Sequence, residues 1–255
     1  MTCAARRAQP DDIAAWREAY RREMACQIIH DSIHQRPGWT QEYALSIERT
    51  PVGYGSVAVG GPWQGTPTLY EFYVEPSHRV RVFSLFEALL ETAGPTHLEV
   101  QSNDPLAAAM LHTYARSVIS ESILFHDQVT TTLAPPGAGF RAPAAGEIPD
   151  LVAEQVPWHG VVDVGGVAAA TGGILFHYNR PYGDIYMNVA EPHRRRGLGA
   201  FLVQELKRVC YAGGHVPAAR CNPGNLASRL TLQKAGFVPC GHVLKGVVQP
   251  GATGT

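Results

Sequence analysis

No apolar run in this sequence approaches the roughly 20 residues needed to cross a bilayer as a helix, and the opening MTCAARRAQP has no apolar core of the secretory kind. A basic excess is missing too. Lys and Arg total 21 against 22 Asp and Glu, for a formal net charge of −1, which speaks against general nucleic-acid binding. The five cysteines are odd in number and scattered, with no C-x-x-C pair, so neither a disulfide framework nor a zinc knuckle is indicated. No strand runs straight into G-x-G-x-x-G, and G-x-x-x-x-G-K-[ST] is absent. These absences leave the expectation of a reduced, soluble, cytoplasmic protein without membrane or nucleic-acid partners. A chain of 255 residues suffices for one large domain or two small ones, each with a real core.

What is present is a strong mixed pattern. PDDIAAWREAYRREM offers an acidic helix start with Ile13, Trp16, Tyr20 and Met24 on one face. Strand-like segments EYALSIE, YGSVAV and PTLYEFYV follow, then a helix at VFSLFEALLETA, the strand HLEV, a helix over PLAAAMLHTYA and strands in ILFHDQVTTTL. The stretch LAPPGAGFRAPAAGEIPD, residues 133–150, is rich in Pro, Gly and Ala and has no period, which is linker chemistry. Beyond it GVVDV and VAAATGGILFHY flank a Gly165-Gly166 hairpin signal. A strand DIYMNV, a helix from Gly197 to about Tyr211, the strand PAARC, a helix over NLASRLTLQKA and closing strands FVPC and HVLKGVV complete the order.

The two halves can be laid over each other. YVEPSHRVRVFSLFEALL aligns with VAEPHRRRGLGAFLVQEL, and QSNDPLAAAMLHTYA with CNPGNLASRLTLQKA. The expectation is a tandem pseudo-repeat of small mixed α/β units: residues 1–133, a linker over 134–145, and residues 146–255. The second unit has only about one helix's worth of chain before its first hairpin, so the first is expected to help complete its active site.

The stretch EPHRRRGLGA sets three arginines and two glycines at the first turn of a helix, directly after a strand. Helix N-termini leave N–H groups unpaired at the positive end of the macrodipole, and glycine lets an anion approach the backbone. The pattern is R-x-x-G-x-G, from Arg194 to Gly199. It resembles the acyl-coenzyme A motif [QR]-x-x-G-x-[GA] of the GNAT superfamily of N-acetyltransferases. Downstream, ARCNPGNLASRLTLQKAGFVPC resembles that family's second signature, with Asn225, Ser228, Gly236 and Phe237 where they are expected. The resemblance implies an α/β fold with a mixed sheet, two fused GNAT-like units in a pseudo-dimeric arrangement, the N-terminal one degenerate. It also implies that the amides of Arg195, Arg196, Gly197, Leu198, Gly199 and Ala200 cradle the coenzyme A pyrophosphate, with Arg194 opening the motif. Asn188 and Val189 would pair with the pantetheine arm, and Asn225 and Ser228 would complete the coenzyme site. In the N-terminal copy Arg81 and Phe83 stand at the places of Gly197 and Gly199, where bulky side chains would fill the cradle.

Acyl transfer from a thioester to an amine needs a proton acceptor for the amine, a donor for the oxyanion and an acid for the thiolate. By resemblance the oxyanion donor is a backbone N–H near Met187–Asn188. The family's acid is a tyrosine in the second signature, and here that position is Leu232. Alternation on DIYMNV sets Asp184, Tyr186 and Asn188 on one face, so Tyr186 and His177 are the catalytic candidates. Cys221 reads as packing rather than as an acyl carrier. Cys26, His30 and His34 are spaced by four and would share a face of a helix, with His126 and Asp127 as further ligands. Without another tight pair no metal is expected. The resemblance implies an N-acetyltransferase that moves acetyl from acetyl-CoA to the amine of a small molecule, as a monomer or homodimer. Two alternatives stay open. One is a non-catalytic acyl-CoA-binding sensor or scaffold. The other is an acyltransferase fed by an acyl-carrier protein, whose phosphopantetheine the three arginines would meet.

Overall fold

The computed structural model describes residues 2–145, 147 and 158–249. The expected start of the second unit, residues 146–157, lies largely outside them. Two compact units form, Met1–Glu121 together with His242–Thr255, and Ser122–Gly241. The first holds strands β1 (Cys3–Ala8), β2 (Thr40–Ile47), β3 (Thr50–Ala58), β4 (Thr68–Val74) and β5 (His97–Gln101), with helices α1 (Ala14–Met24), α2 (Val82–Ala93) and α3 (Pro105–Tyr114). Strand β6 (Ala115–Asp127) leads into the second. There β7 (Ala138–Arg141), β8 (Trp158–Val164), β9 (Val167–Leu175), β10 (Tyr182–Val189) and β11 (Val216–Cys221) accompany α4 (Leu198–Ala212) and α5 (Leu226–Lys234). The closing strand is β12 (Phe237–Val248).

Local chemistry explains most element ends. Asp104 caps α3 by accepting the N–H groups of Leu106 and Ala107, with Pro105 following it. Asn225 caps α5 by accepting the Ser228 N–H at 3.0 Å. The β8–β9 hairpin turns through Gly165 and Gly166 at φ +63° and +82°, the pair of left-handed residues that such a turn requires.

The units share one strand order. In the first, β1 to β4 run antiparallel, β4 meets β5 in parallel, and Val243–Val247 of β12 pair antiparallel with β5. In the second, β7 to β10 run antiparallel, β10 meets β11 in parallel, and Ile123–His126 of β6 pair antiparallel with β11. Leu244 and Val248 pack on the first unit's core, around Leu45, Leu85, Leu89 and Leu98. Ile123 and Phe125 belong to the second unit's core, with Ile185, Leu202 and Phe237.

Three expectations are corrected. The stretch anticipated as a linker, 134–145, contains β7, whose residues pair with β8 from Ala138↔Val164 to Arg141↔Val161. FVPC and HVLKGVV form one continuous strand, and its end from His242 onward belongs to the first unit. Cys26, His30 and His34 do not share a helix face, because α1 stops at Met24 and only a 3-10 turn, Ser32–Gln35, follows. Cys26 donates to Asn103, and His34 is held between carboxylates. Asp127 pairs with Lys207 at 2.5 Å. Among the described residues no group of three or more His, Cys, Asp or Glu could hold an ion.

That His34 contact is part of a buried polar knot. Its Nδ1 lies 2.9 Å from Glu42 and its Nε2 3.1 Å from Glu71, while Arg21 donates to Glu71 at 2.8 Å. Burial opposes charge on the imidazole, but Glu71 and Glu42 outweigh it and push His34 up to about 9. Burial likewise opposes charge on Glu71, yet Arg21 and His34 hold it far below the ordinary carboxylate range. The signs follow from linkage. The raised histidine stabilises fully below its ordinary value of 6.5, and that contribution is lost as pH rises through about 9. The lowered carboxylate stabilises above its ordinary value of 4.5 and loses this in acid. Melting temperature should therefore fall as pH climbs from 6.5 to 9, and His34→Gln should flatten that limb.

The strand exchange yields a second expectation. A fragment begun at Phe140 lacks Ile123–His126, which opens the β11 edge and removes Phe125 from the core. A chain ended at Gly241 strips β5 of its partner. Both should aggregate or lose cooperative melting in size-exclusion and circular-dichroism runs. A monomeric, cooperatively melting fragment from Phe140 would refute this account.

Candidate functional site

Strand β10 leaves its neighbour part-way. It pairs with β11 only from Tyr182↔Val216 to Asp184↔Ala218, yet stays on β9 through Val189↔Ala170. Strand β11 continues to Cys221 on β6. Beyond Asp184 the β10 edge facing β11 therefore pairs with no strand among the described residues, which leaves a slot along Ile185–Val189.

The chain then enters α4 through a short turn. A 3-10 segment covers Glu191–His193, Arg195 sits at φ +60° and Gly197 at φ +81°. The first bond of the helix runs from the Phe201 N–H to the Gly197 carbonyl. Among the described residues the amides of Arg195 through Ala200 donate to no acceptor. They line the mouth of the slot at the positive end of α4. The Leu198 and Ala200 side chains are buried in the core, which fixes the helix behind its free amides. The Arg194 Nε donates to the Val189 carbonyl at 3.2 Å and ties the turn to the strand end. A Cβ on Gly199 would stand 3.1 Å from Val189 and 3.2 Å from Thr231, and one on Gly197 would be 3.5 Å from the Lys234 Nζ. Lys234 makes no ion pair among the described residues, so a fourth cation joins Arg194–Arg196 at this turn.

The two faces of the sheet differ. A Cβ on Gly172 would meet Leu202 and Leu206, so Gly172 and its partner Met187 look toward α4. Tyr186, paired with Gly173, looks the other way, with Asp184 and Asn188. On that side Arg220 donates to Asp184 at 3.2 Å and closely to the Tyr178 hydroxyl. His177 lies past the end of β9, its ring 4.2 Å from that of Tyr178. The Tyr186 hydroxyl has no partner among the described residues, and burial raises its pKa, so it keeps its proton at neutral pH.

Comparison with known proteins gives this geometry a family context. Residues 160–242 match the family model described as FR47-like protein. Among solved structures, an acetyltransferase of the GNAT family from Colwellia psychrerythraea superposes with TM-score 0.73 at 14% identity, over 96% of this chain and 99% of that one. A tandem GNAT protein from the clavulanic acid biosynthesis pathway, solved without AcCoA, gives 0.64 at 14%, over 97% and 99%. A GCN5-related N-acetyltransferase from Sphaerobacter thermophilus gives 0.62 at 14%, over 97% and 96%. The fold is that of the GNAT acetyltransferases. A search of the curated proteins finds no match to this sequence.

Within the GNAT fold the other anticipated residues fall as follows. Asn188 is exposed beside the slot, with Val189 at its end. The Asn225 side chain is occupied in capping α5 through the Ser228 amide. Leu232 is 1% exposed inside the apolar core shared with α4, so its position on α5 does not reach the polar face. Cys221 is buried in the same core, which pushes its thiol pKa up. Lys234 was missed by sequence reasoning, since its proximity to Gly197 depends on how α5 packs against α4.

The first unit repeats the slot but not the turn. Strand β4 meets β5 only at Thr68↔His97 and Leu69↔Leu98. A 3-10 stretch, Pro76–Arg81, then runs directly into α2, with no left-handed residue between. Phe83 is 51% exposed, so it does not fill a cradle. The cradle is absent because the backbone is wound differently, which corrects the expectation from side-chain bulk.

The left-handed turn makes a stability prediction. Gly197→Ala should cost about 1–2 kcal/mol, the usual penalty for a side chain at such φ. Gly199→Phe should cost more, because its ring must part Val189 from Thr231. Unchanged urea midpoints in both variants would show that the turn tolerates side chains.

Proposed function

We propose that the protein is an acyl-CoA-dependent acyltransferase that moves acetyl from acetyl-CoA to the amine of a small molecule, with one coenzyme site, in the second unit. The observation that carries this reading is the run of free amides from Arg195 to Ala200 at the mouth of the β10–β11 slot. Such a run suits a pyrophosphate, and Arg194–Arg196 with Lys234 supply countercharge. The unpaired edge of β10 suits the amides of a pantetheine arm, which leads the thioester toward Tyr186. The thioester supplies the activated acyl group, and the chain's residues hold it and move protons. Tyr186 has a protonated hydroxyl with no partner among the described residues, as a proton donor to the leaving sulfur requires. The near-neutral net charge favours a small amine over a nucleic-acid-bound acceptor.

One observation favours a second reading, a non-catalytic acyl-CoA sensor. Leu232 is sealed in the core, so α5 brings no acid at the family's tyrosine position.

Calorimetry with coenzyme A and thiol-release assays over an amine panel separate the two. One site per chain with turnover supports the transferase. Tight binding without turnover supports the sensor, and two equivalent sites would overturn the one-site assignment. Tyr186→Phe should lower turnover about 10- to 1,000-fold with little change in coenzyme affinity. Lys234→Ala should weaken coenzyme A binding about 3- to 10-fold and reduce its salt dependence, leaving the circular-dichroism spectrum unchanged.

A further inference from the structure

The acceptor face carries a histidine that none of the motifs includes. His159 on β8 pairs with Gly173 on β9, which pairs with Tyr186 on β10. Residues opposite one another in register share a face, so His159 and Tyr186 stand in one row with only a glycine between them. The next residue confirms the direction: a Cβ on Gly160 would meet Phe140 and Leu206, so Gly160 looks toward α4 and His159 away from it. Neighbouring strands lie about 4.8 Å apart, which sets the two backbones about 10 Å from each other. Gly173 puts no side chain between them.

Both ring nitrogens of His159 are buried and have no hydrogen-bond partner among the described residues. A buried imidazole with neither nitrogen paired is costly, and such groups concentrate where a ligand or water completes the bonding. The second unit's core has no use for it. Its apolar cluster lies on the other face, where α4 and α5 pack. Among the described residues the other titratable groups that the strand register sets on this face include Asp184, Tyr186, Arg220, His126, and Arg141 with Asp163, which are paired to each other at 3.3 Å. Arg220 binds both Asp184 and Tyr178, and the His177 ring lies 4.2 Å from that of Tyr178, tilted by 42°.

We propose that His159 is the proton acceptor for the amine, on the opposite side of Gly173 from the acid Tyr186. This rests on the transferase reading above. The ammonium form of the acceptor gives one proton to a His159 ring nitrogen, directly or through one water, and His159 passes it to solvent. The freed nitrogen bonds to the thioester carbon, the carbon–sulfur bond breaks, and the Tyr186 hydroxyl protonates the leaving sulfur. The second N–H proton, lost as the amide forms, returns to the Tyr186 oxygen. Histidine suits the first step because its ordinary pKa lies near neutrality.

The test compares two nucleophiles with acetyl-CoA at mildly alkaline pH. One is n-butylamine, which arrives as an ammonium ion. The other is hydrazine, which is largely neutral there and needs no base. His159→Gln should slow butylamine about 100-fold or more, spare hydrazine, abolish the acidic limb of the butylamine profile and leave coenzyme A affinity unchanged. Loss of both reactions in equal measure would make His159 structural and overturn the proposal, as would wild-type rates with both. A second readout uses the intact protein. The nitrogen-15 ring signals of His159, assigned with His159→Asn, should move when butylamine is added to the coenzyme A complex, and unmoved signals would also overturn it. If the wild-type chain binds coenzyme A but acetylates neither nucleophile, the transferase reading itself fails, a result distinct from a defect confined to the variant.

Discussion

The parting of β10 from β11 after Asp184 is the constraint on which the rest of the second unit depends. A strand that leaves its neighbour exposes a row of unpaired amides and carbonyls, normally a liability that a fold must cover or use. Here the departure is anchored at its root by the pair of buried Asp184 with half-buried Arg220 and at its tip by the Arg194 bond to Val189. Between those points the backbone edge stays open. The turn into α4 then adds a second set of unpaired donors at the slot's end. Neither set is paired among the described residues, and the proposed coenzyme would engage both.

The first unit shows that the slot alone is not enough. Its strand order is the same and β4 leaves β5 after Leu69. Yet its turn is wound into a 3-10 segment that uses its own donors, and the face of β4 opposite α2 is filled by charge. Glu71 is enclosed by Arg21, His34 and Tyr54. A buried carboxylate needs such complete compensation, because breaking any one contact leaves an expensive unpaired charge. One architecture has thus been turned to two ends, a backbone left open in one unit and a polar knot tied shut in the other.

Each unit also depends on a strand that begins in the other's portion of the sequence. Strand β6 starts at Ala115 and finishes in the second unit's core at Ile123 and Phe125, while β12 starts at Phe237 and ends against β5. Cutting the sequence at its least periodic stretch therefore misplaces the division. Pro, Gly and Ala around residues 133–150 mark weak local preference, and β7 forms there because β8 offers an edge to pair with.

Much of the site was legible in the sequence because it rests on local chemistry. The strand into R-x-x-G-x-G, the glycines at the start of α4 and the hairpin at Gly165-Gly166 are properties of a few adjacent residues, whose φ preferences and hydrogen-bonding groups act at short range, whereas Asn225, read as a coenzyme contact, proved to cap α5. The amphipathic α2 and α4 were legible for the same reason, since a 3.6-residue period is written along the chain. What only the tertiary structure decided was proximity across sequence distance. It set Lys234 beside Gly197 and sealed Leu232 in the core. It aligned His159 with Tyr186 through Gly173 and gave the last strand to the first unit. Strand register and helix packing are settled by which faces are buried together, and a one-residue shift in register would turn each of these side chains to the opposite face.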